Sequence, residues 1–324
     1  MKSIIDICKM TQMELKLYLT EFLVENGYEA ISEDGYLYAK GTEPVLLVAH
    51  LDTIHKKMPG KITEIGDILS ARNGIGGDDR CGVYIIMNIV KELKCSVLFC
   101  EDEESGTIGA NKFVKSNHVK HIDANYMIEF DRKGSDDAVF YHCDNINFTE
   151  FILNTTGYTE RYGTHTDICV IAPVIKLAAV NLSCGYYKAH TEGEYIAVKE
   201  MMNTIEVAKK LIKTPSEKYE YVPSKYVAPK PSTYLWNRGR KYESAYNRGY
   251  YDDYGYPYSS QKKSTKKANS YSDLTLTMTF CYVNQYGEEV WSAHSGSTKA
   301  ECYAKFFLDH PSICMDDVLD YSIE

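Results

Sequence analysis

Hydrophobic positions along the chain switch between two periods, and the switching predicts an alternation of helices and strands. Residues 10–27, "MTQMELKLYLTEFLVENG", place Leu15, Leu17, Leu19, Phe22 and Leu23 on a helical stripe, with Thr11 and Glu14 spaced as a capping box and Gly27 as the stop. Two short strands follow at 29–34 and 36–41, joined by an Asp34-Gly35 turn. Residues 44–50 and 95–101 are short apolar runs, the pattern of strands buried on both faces. Between them, 81–93 reads as a helix, as does 109–118. Further strands are expected at 124–131, 140–144, 167–172 and 175–183. A helix over 197–213 puts Met201, Ile205, Ala208 and Leu211 on one face. The expectation is an α/β fold, a mixed and mostly parallel β-sheet sandwiched by helices.

The pattern breaks after Leu211. Residues 214–270 carry 11 Lys and Arg against 5 Asp and Glu, and 11 tyrosines, with few aliphatic side chains to fold around. This stretch is expected to be a disordered linker. Its basic, tyrosine-rich character also suits a sticky surface for RNA, sugar or protein. Pattern returns over 271–324, where two alternating strands, a helix starting near Ser297 and a last strand predict a small ββαβ appendage. Its charge is opposite, with 2 basic and 9 acidic residues. The expected division is thus 1–213 as catalytic domain, 214–270 as linker and 271–324 as an α+β appendage.

Whole-chain totals narrow the function. A net charge of −9 disfavours nucleic-acid binding by the chain as a whole, leaving the basic linker as the one segment suited to it. No apolar run approaches the roughly 20 residues of a membrane helix, and the start lacks a secretory pattern, so a cytoplasmic protein is expected. Ten cysteines lie scattered with no CxxC pair, which argues for buried thiols rather than a disulfide framework or zinc knuckle.

Candidate chemistry gathers at the ends of the predicted strands, where open α/β sheets bind ligands. The strand "VLLVAHLDT" ends on His50 and Asp52, whose i, i+2 spacing points both side chains to one face. Asp52 can then orient the imidazole while its other nitrogen faces a metal. "ARNGIGGDDRCG" delivers Asp78 and Asp79 from a glycine-rich loop just before a helix. "LFCEDEESG" places four acids after a buried strand. A cation would relieve their repulsion and leave one carboxylate free as a base. "MIEFDRKG" adds Asp131, and "YYKAHTEGEYI" adds His190. Imidazole with carboxylate suits zinc, and also manganese or cobalt. In "YGTHTDICV", residues 162–170, His165 and Asp167 are candidates either for substrate contact or for a capped strand entry. His55, His118, His121 and His142 are expected to be surface or packing residues.

In combination these motifs resemble the co-catalytic di-zinc exopeptidases of the M20, M28 and M42 kind. "AHLDT" is similar to their HxDT, "GGDDRCG" to G-A-D-D-K-x-G with Arg80 in place of the usual Lys, and "DEESG" to D-E-E-x-G. "EFD" and "HTEGEY" fit the last two motifs, and the closest local likeness is to the tripeptidase-like members. The resemblance covers residues 45 to about 212 and implies a phosphorylase/hydrolase-like zinc exopeptidase fold. It further implies that Asp78 bridges two zinc ions, that His50 and Asp131 complete one site and Glu104 and His190 the other. Glu103 would be the general base and Asp52 the residue that orients His50. The chain departs from M20 members in one respect. Only 58 residues separate Asp131 from His190, too few for their lid, so a single-domain architecture of the M28 kind is expected. Local groups such as Arg161, Tyr162 or His165 would then serve the substrate. The implied activity is that of a metal-dependent exopeptidase, an aminopeptidase on short peptides. The alternatives are a deacylase of N-acyl amino acids and a metal-binding scaffold without turnover.

Overall fold

The structure is a computed structural model that describes residues 1–163, 165–224, 276–283, 289–296, 305–306 and 318–323. The chain divides into two units, one of Met1–Pro223 with Thr275–Glu324 and one of Ser224–Leu274. The stretch expected to be a linker lies mostly outside the described residues.

The chain opens with α1 (Ile4–Cys8) and α2 (Gln12–Glu25). Thr11 and Glu14 form the expected reciprocal capping box. Leu15, Leu19, Phe22 and Leu23 are buried. Leu17 is 61% exposed, so the helix's apolar stripe is narrower than the sequence suggests. There follow β1 (Ala30–Glu33), β2 (Tyr36–Ala39), β3 (Glu43–His50), a hairpin of β4 (Thr63–Ile65) and β5 (Ile68–Ser70), and α3 (Gly77–Val90). Next come β6 (Cys95–Cys100), α4 (Ile108–Phe113), a 3-10 turn (Asn117–His121), β7 (Tyr126–Arg132), β8 (Asp137–Val139) and α5 (Ile146–Thr156). Then follow β9 (Thr159–Arg161), α6 (Asp167–Ile175), β10 (Ala179–Ser183), β11 (Tyr186–Tyr187), β12 (Tyr195–Ala197) and α7 (Val198–Lys213).

Eight strands form one sheet in the order β1-β2-β6-β3-β7-β10-β8-β9. Its centre, β6-β3-β7-β10, is parallel, while β1, β2 and β8 join antiparallel. This is the mixed, mostly parallel α/β sheet the sequence predicts. Alternate residues feed opposite faces. Val45, Leu47 and Ala49 of β3 join an apolar layer with α1, α2, α3, α5 and α7. Leu46 and Val48 join a second layer with α4 and α6. A four-stranded antiparallel sheet, β11-β12-β5-β4, carries the loop that holds His190.

Two expected strands are absent. Residues 167–172 are helical, opening α6. Their β-branched run mimics a strand, but Ile168, Ile171 and Ala172 recur at helical spacing and pack as one buried face. Residues 140–144 lie beyond β8, where the chain turns through a left-handed Tyr141. The helix α5 is not expected from the sequence.

After α7 the chain continues as a strap. The Tyr219 N–H donates to the Asn125 carbonyl, its carbonyl accepts the Ala178 N–H, and its ring packs on Phe148 and Phe151. The Asp144 N–H donates to the Val222 carbonyl. Towards the C-terminus, β13 (Leu276–Val283), β14 (Glu289–Gly296) and β15 (Val318–Ile323) form an antiparallel sheet in the order β14-β13-β15. The helix expected near 297–310 falls mostly outside the described residues, with only Lys305 and Phe306 seen as helical.

Candidate metal centre

Three neighbouring strands, β6, β3 and β7, end side by side, and their carboxyl ends present Glu103 with Glu104, His50 and Asp131. Because β3 lies in the middle, His50 faces the acids on either side. Its Nδ1 is 3.2 Å from Asp52 Oδ1, and its Nε2 is 3.0 Å from Asp78 Oδ1 and 3.5 Å from Asp131 Oδ1. On the other side, His190 Nε2 lies 3.2 Å from Asp78 Oδ2 and 3.0 Å from Glu104 Oε1. The two oxygens of Asp78 therefore face two different imidazoles. Among the described residues, the groups able to hold a metal ion are His50, Asp78 and Asp131, and Asp78, Glu104 and His190, with the ligand atoms of each within 4.8 Å of one another. Two imidazoles and three carboxylates sharing one bridging acid fit a pair of divalent cations of the zinc, manganese or cobalt type.

The sheet explains this convergence. Asp78 and Asp79 are the first turn of α3 in name only. Their dihedrals are not helical, and a cis peptide joins them. Asp79, fully buried, accepts the His50 N–H at 3.2 Å and the Gly82 N–H at 2.9 Å, tying β3 to the head of α3. Gly82 sits so close to β7 that a Cβ there would overlap the Phe130 carbonyl. Arg80 is 1% exposed and donates to the Leu51 and Met10 carbonyls, anchoring the strand end from below. Asp131 is held by Asn181, whose Oδ1 accepts its N–H at 2.8 Å, and by the Thr166 hydroxyl, which donates to Oδ2 at 2.9 Å. Tyr186 reaches its Oδ1 at 3.3 Å.

The charges in this cluster are strongly perturbed. Burial opposes protonation of His50, yet the Asp131, Asp52 and Asp78 carboxylates hold its pKa well above the ordinary value. His190 is pushed up to about 10 by hydrogen bonds to Asp78 and Glu104. Burial would raise Asp78, but both histidines hold it well below the carboxylate range. Glu103 is pushed up to about 9, by burial first and then by the Asp131, Asp167 and Asp78 carboxylates. A buried carboxyl with a raised pKa beside a set of metal donors is suited to carrying a proton.

Asp52 accepts the N–H of Glu103 at 2.9 Å and of Glu104 at 3.1 Å, so it holds the acidic loop as well as the His50 ring. The remaining candidates belong to neither donor group. Arg161 is half-exposed, with Nε 3.4 Å from Asp137 Oδ1. His165 is exposed and lies 3.4 Å from the Thr107 hydroxyl. Tyr162 is 84% exposed. Asp167 is fully buried at the start of α6, and burial pushes its pKa up to about 7.

A family model described as peptidase family M28 matches residues 36–167, the span from β2 to the start of α6, with every candidate donor except His190. Over these residues the chain is similar to peptidase family M28. The chain is accordingly a peptide hydrolase of the metallopeptidase kind. No curated protein matches the sequence. Among solved structures, the fold is similar to aminopeptidase PepT from Bacillus cereus, at 16% identity and TM-score 0.54, over 64% of this chain and 96% of that one. It is similar to a tripeptidase from Staphylococcus aureus at 12% identity and TM-score 0.53, over 65% and 96%. It is also similar to a TET aminopeptidase from a marine sediment Thaumarchaeota archaeon at 12% identity and TM-score 0.51, over 66% and 96%. These likenesses are to the fold.

Two residues of this site have no signal in the hydrophobic pattern. Glu194 is 1% exposed and lies among backbone N–H groups of the glycine-rich loop, and His55, expected as surface or packing, is bonded to it. Both are polar residues in loops, where neither period nor strand end marks them out.

Proposed function

We propose that this site binds two zinc ions and removes residues from the amino end of short peptides, within a catalytic domain formed by the first 213 residues or so. The split of Asp78 between His50 and His190 carries the reading, since each oxygen belongs to a separate donor triplet. In the proposed arrangement His50, Asp78 and Asp131 hold one ion, and Asp78, Glu104 and His190 the other. When bound, such ions polarise the scissile carbonyl and lower the pKa of water. Glu103 takes the proton of the attacking water and delivers it to the departing amine. Asp52 keeps Glu103 in place through its N–H and fixes the His50 ring through Nδ1. Arg161, His165 and Asp167 are assigned to the substrate side. The choice of short peptides with a free amino terminus is supported by the tripeptidase and aminopeptidase names of the structures with this fold.

The test is elemental analysis for bound metal, beside release of amino acids from free and N-acetylated dipeptides and tripeptides, with and without chelator. Near two equivalents of zinc and chelator-sensitive cleavage of the free peptides only are expected. Cleavage of the acetylated compounds alone would replace the reading with a deacylase, and two equivalents without any cleavage with a scaffold.

A further inference from the structure

The last motif supplies more than His190. Four residues on, Glu194 turns its carboxylate inward, beneath the glycine-rich loop that carries Asp78. Its Oε1 accepts the Asp78 N–H at 3.0 Å and its Oε2 the Gly76 N–H at 2.8 Å. Oε2 also lies 2.7 Å from His55 Nε2. The loop is shaped around this pair. A Cβ on Gly74 would overlap the His55 ring, and Gly76 takes a left-handed φ of 73° that a side chain would strain. The backbone of the bridging acid thus has no sheet ladder to fix it. It hangs from a carboxylate 116 residues further along the chain.

His190 is held by the same segment. It sits in a tight turn with left-handed φ of 63°, closed by the Thr191 hydroxyl donating to the Lys188 carbonyl at 2.7 Å and the Glu194 N–H reaching the Thr191 carbonyl at 3.3 Å. Two of the three donors in the Asp78–Glu104–His190 triplet therefore depend on where Glu194 sits. The other triplet shares Asp78, but its remaining two donors have their own supports. Asp79 and Asp52 hold His50, and Asn181, Thr166 and Tyr186 hold Asp131.

We infer that Glu194, oriented by His55, is the positioning residue that sets Asp78 as a bridge, and that the Asp78–Glu104–His190 triplet depends on it more than the other does. The inference rests on the two-ion reading above. The carboxylate is required because it offers acceptors on both oxygens. A glutamine keeps one acceptor and turns its NH2 towards an N–H that already donates, leaving buried donors facing each other.

The experiment titrates zinc into metal-free wild type, Glu194→Gln and His55→Ala against a competing chelator. It measures equivalents bound by elemental analysis, with thermal unfolding of each metal-free protein as the control for folding. Wild type is expected to bind two equivalents. Glu194→Gln should hold its first equivalent with little change and its second about 10- to 100-fold more weakly, the usual effect of removing an outer hydrogen-bond partner. His55→Ala should weaken the second equivalent in the same sense, by about tenfold, and serves alone if Glu194→Gln fails to fold. Two equivalents bound as tightly in the folded variants as in wild type would overturn the role of Glu194 and leave the two-ion reading standing. Equal weakening of both equivalents would overturn the selectivity. A wild type that binds fewer than two would overturn the reading beneath it.

Discussion

Asp52 accepts the backbone N–H of Glu103 at 2.9 Å, and so joins the first strand end to the acidic loop of the next. The same carboxylate stands 3.2 Å from the His50 ring. Alanine at position 52 removes both supports at once. Asp52→Ala is expected to weaken zinc binding by about 10- to 100-fold, and to lower kcat further at saturating metal, because Glu103 loses its anchor. Metal titration and steady-state kinetics at saturating zinc separate the two effects. A variant with wild-type kcat at saturation would show that Asp52 serves His50 alone.

Glu103 belongs to neither donor triplet, and its raised pKa suits a proton carrier. Glu103→Gln should keep two equivalents of metal and lose about 10²- to 10⁴-fold in kcat. Elemental analysis and peptide turnover on one preparation make the comparison. Loss of metal in this variant would make Glu103 a ligand.

Metal loading should expel protons. The pKa of His190 in the folded, metal-free protein is raised to about 10 from an ordinary 6.5. Its protonated form therefore favours the fold fully below about 6.5, and that contribution fades as pH rises through 10. Zinc requires a neutral imidazole, so loading at pH 7 must release protons. Calorimetric titrations in buffers of different ionisation enthalpy should give heats that vary with the buffer. Identical heats would mean that the site is already deprotonated.

Gly82 faces the Phe130 carbonyl, one residue before Asp131. A methyl group there must push α3 away from β7, the two elements that bring Asp78 and Asp131 together. Gly82→Ala should cost about 1–3 kcal/mol, as overpacking does in a filled core, and weaken metal binding as well. Urea unfolding of the metal-free protein reads the first effect. An unchanged midpoint would show that the helix has room to shift.

The legible part of the molecule is the part with a period or a strand end. β3 and β6 are largely apolar runs, β7 is apolar apart from Glu129, and the polar residues that follow or terminate them stand out against that background. Hence His50, Asp131 and the acidic run 101–104 are visible in the linear pattern, while Glu104 is singled out within that run only by the family resemblance; His50, Glu104 and Asp131 are strand-end residues that the sheet brings together. Asp78 is marked by its glycine-rich loop. The stretch 167–172 misleads because Ile168, Val170 and Ile171 favour a strand locally, while packing on the sheet decides for a helix. α5 escapes because "INFTEFILNTT" is rich in β-branched and polar residues, although Asn145 caps it and Phe148 and Ile152 bury its one apolar face. His55 and Glu194 are illegible for another reason. Their partners are backbone N–H groups and each other, distant in the chain, and such contacts leave no trace in a linear pattern.

The order in which the donors occur has a consequence for synthesis. Asp78 meets His50 from upstream and His190 from far downstream. A growing chain that has not yet reached residue 190 lacks one donor of the second triplet, and Glu194 with it. If the site works with two ions as proposed, a peptide hydrolase built in this order has no complete centre while its nascent, unfolded segments are the nearest peptides at hand.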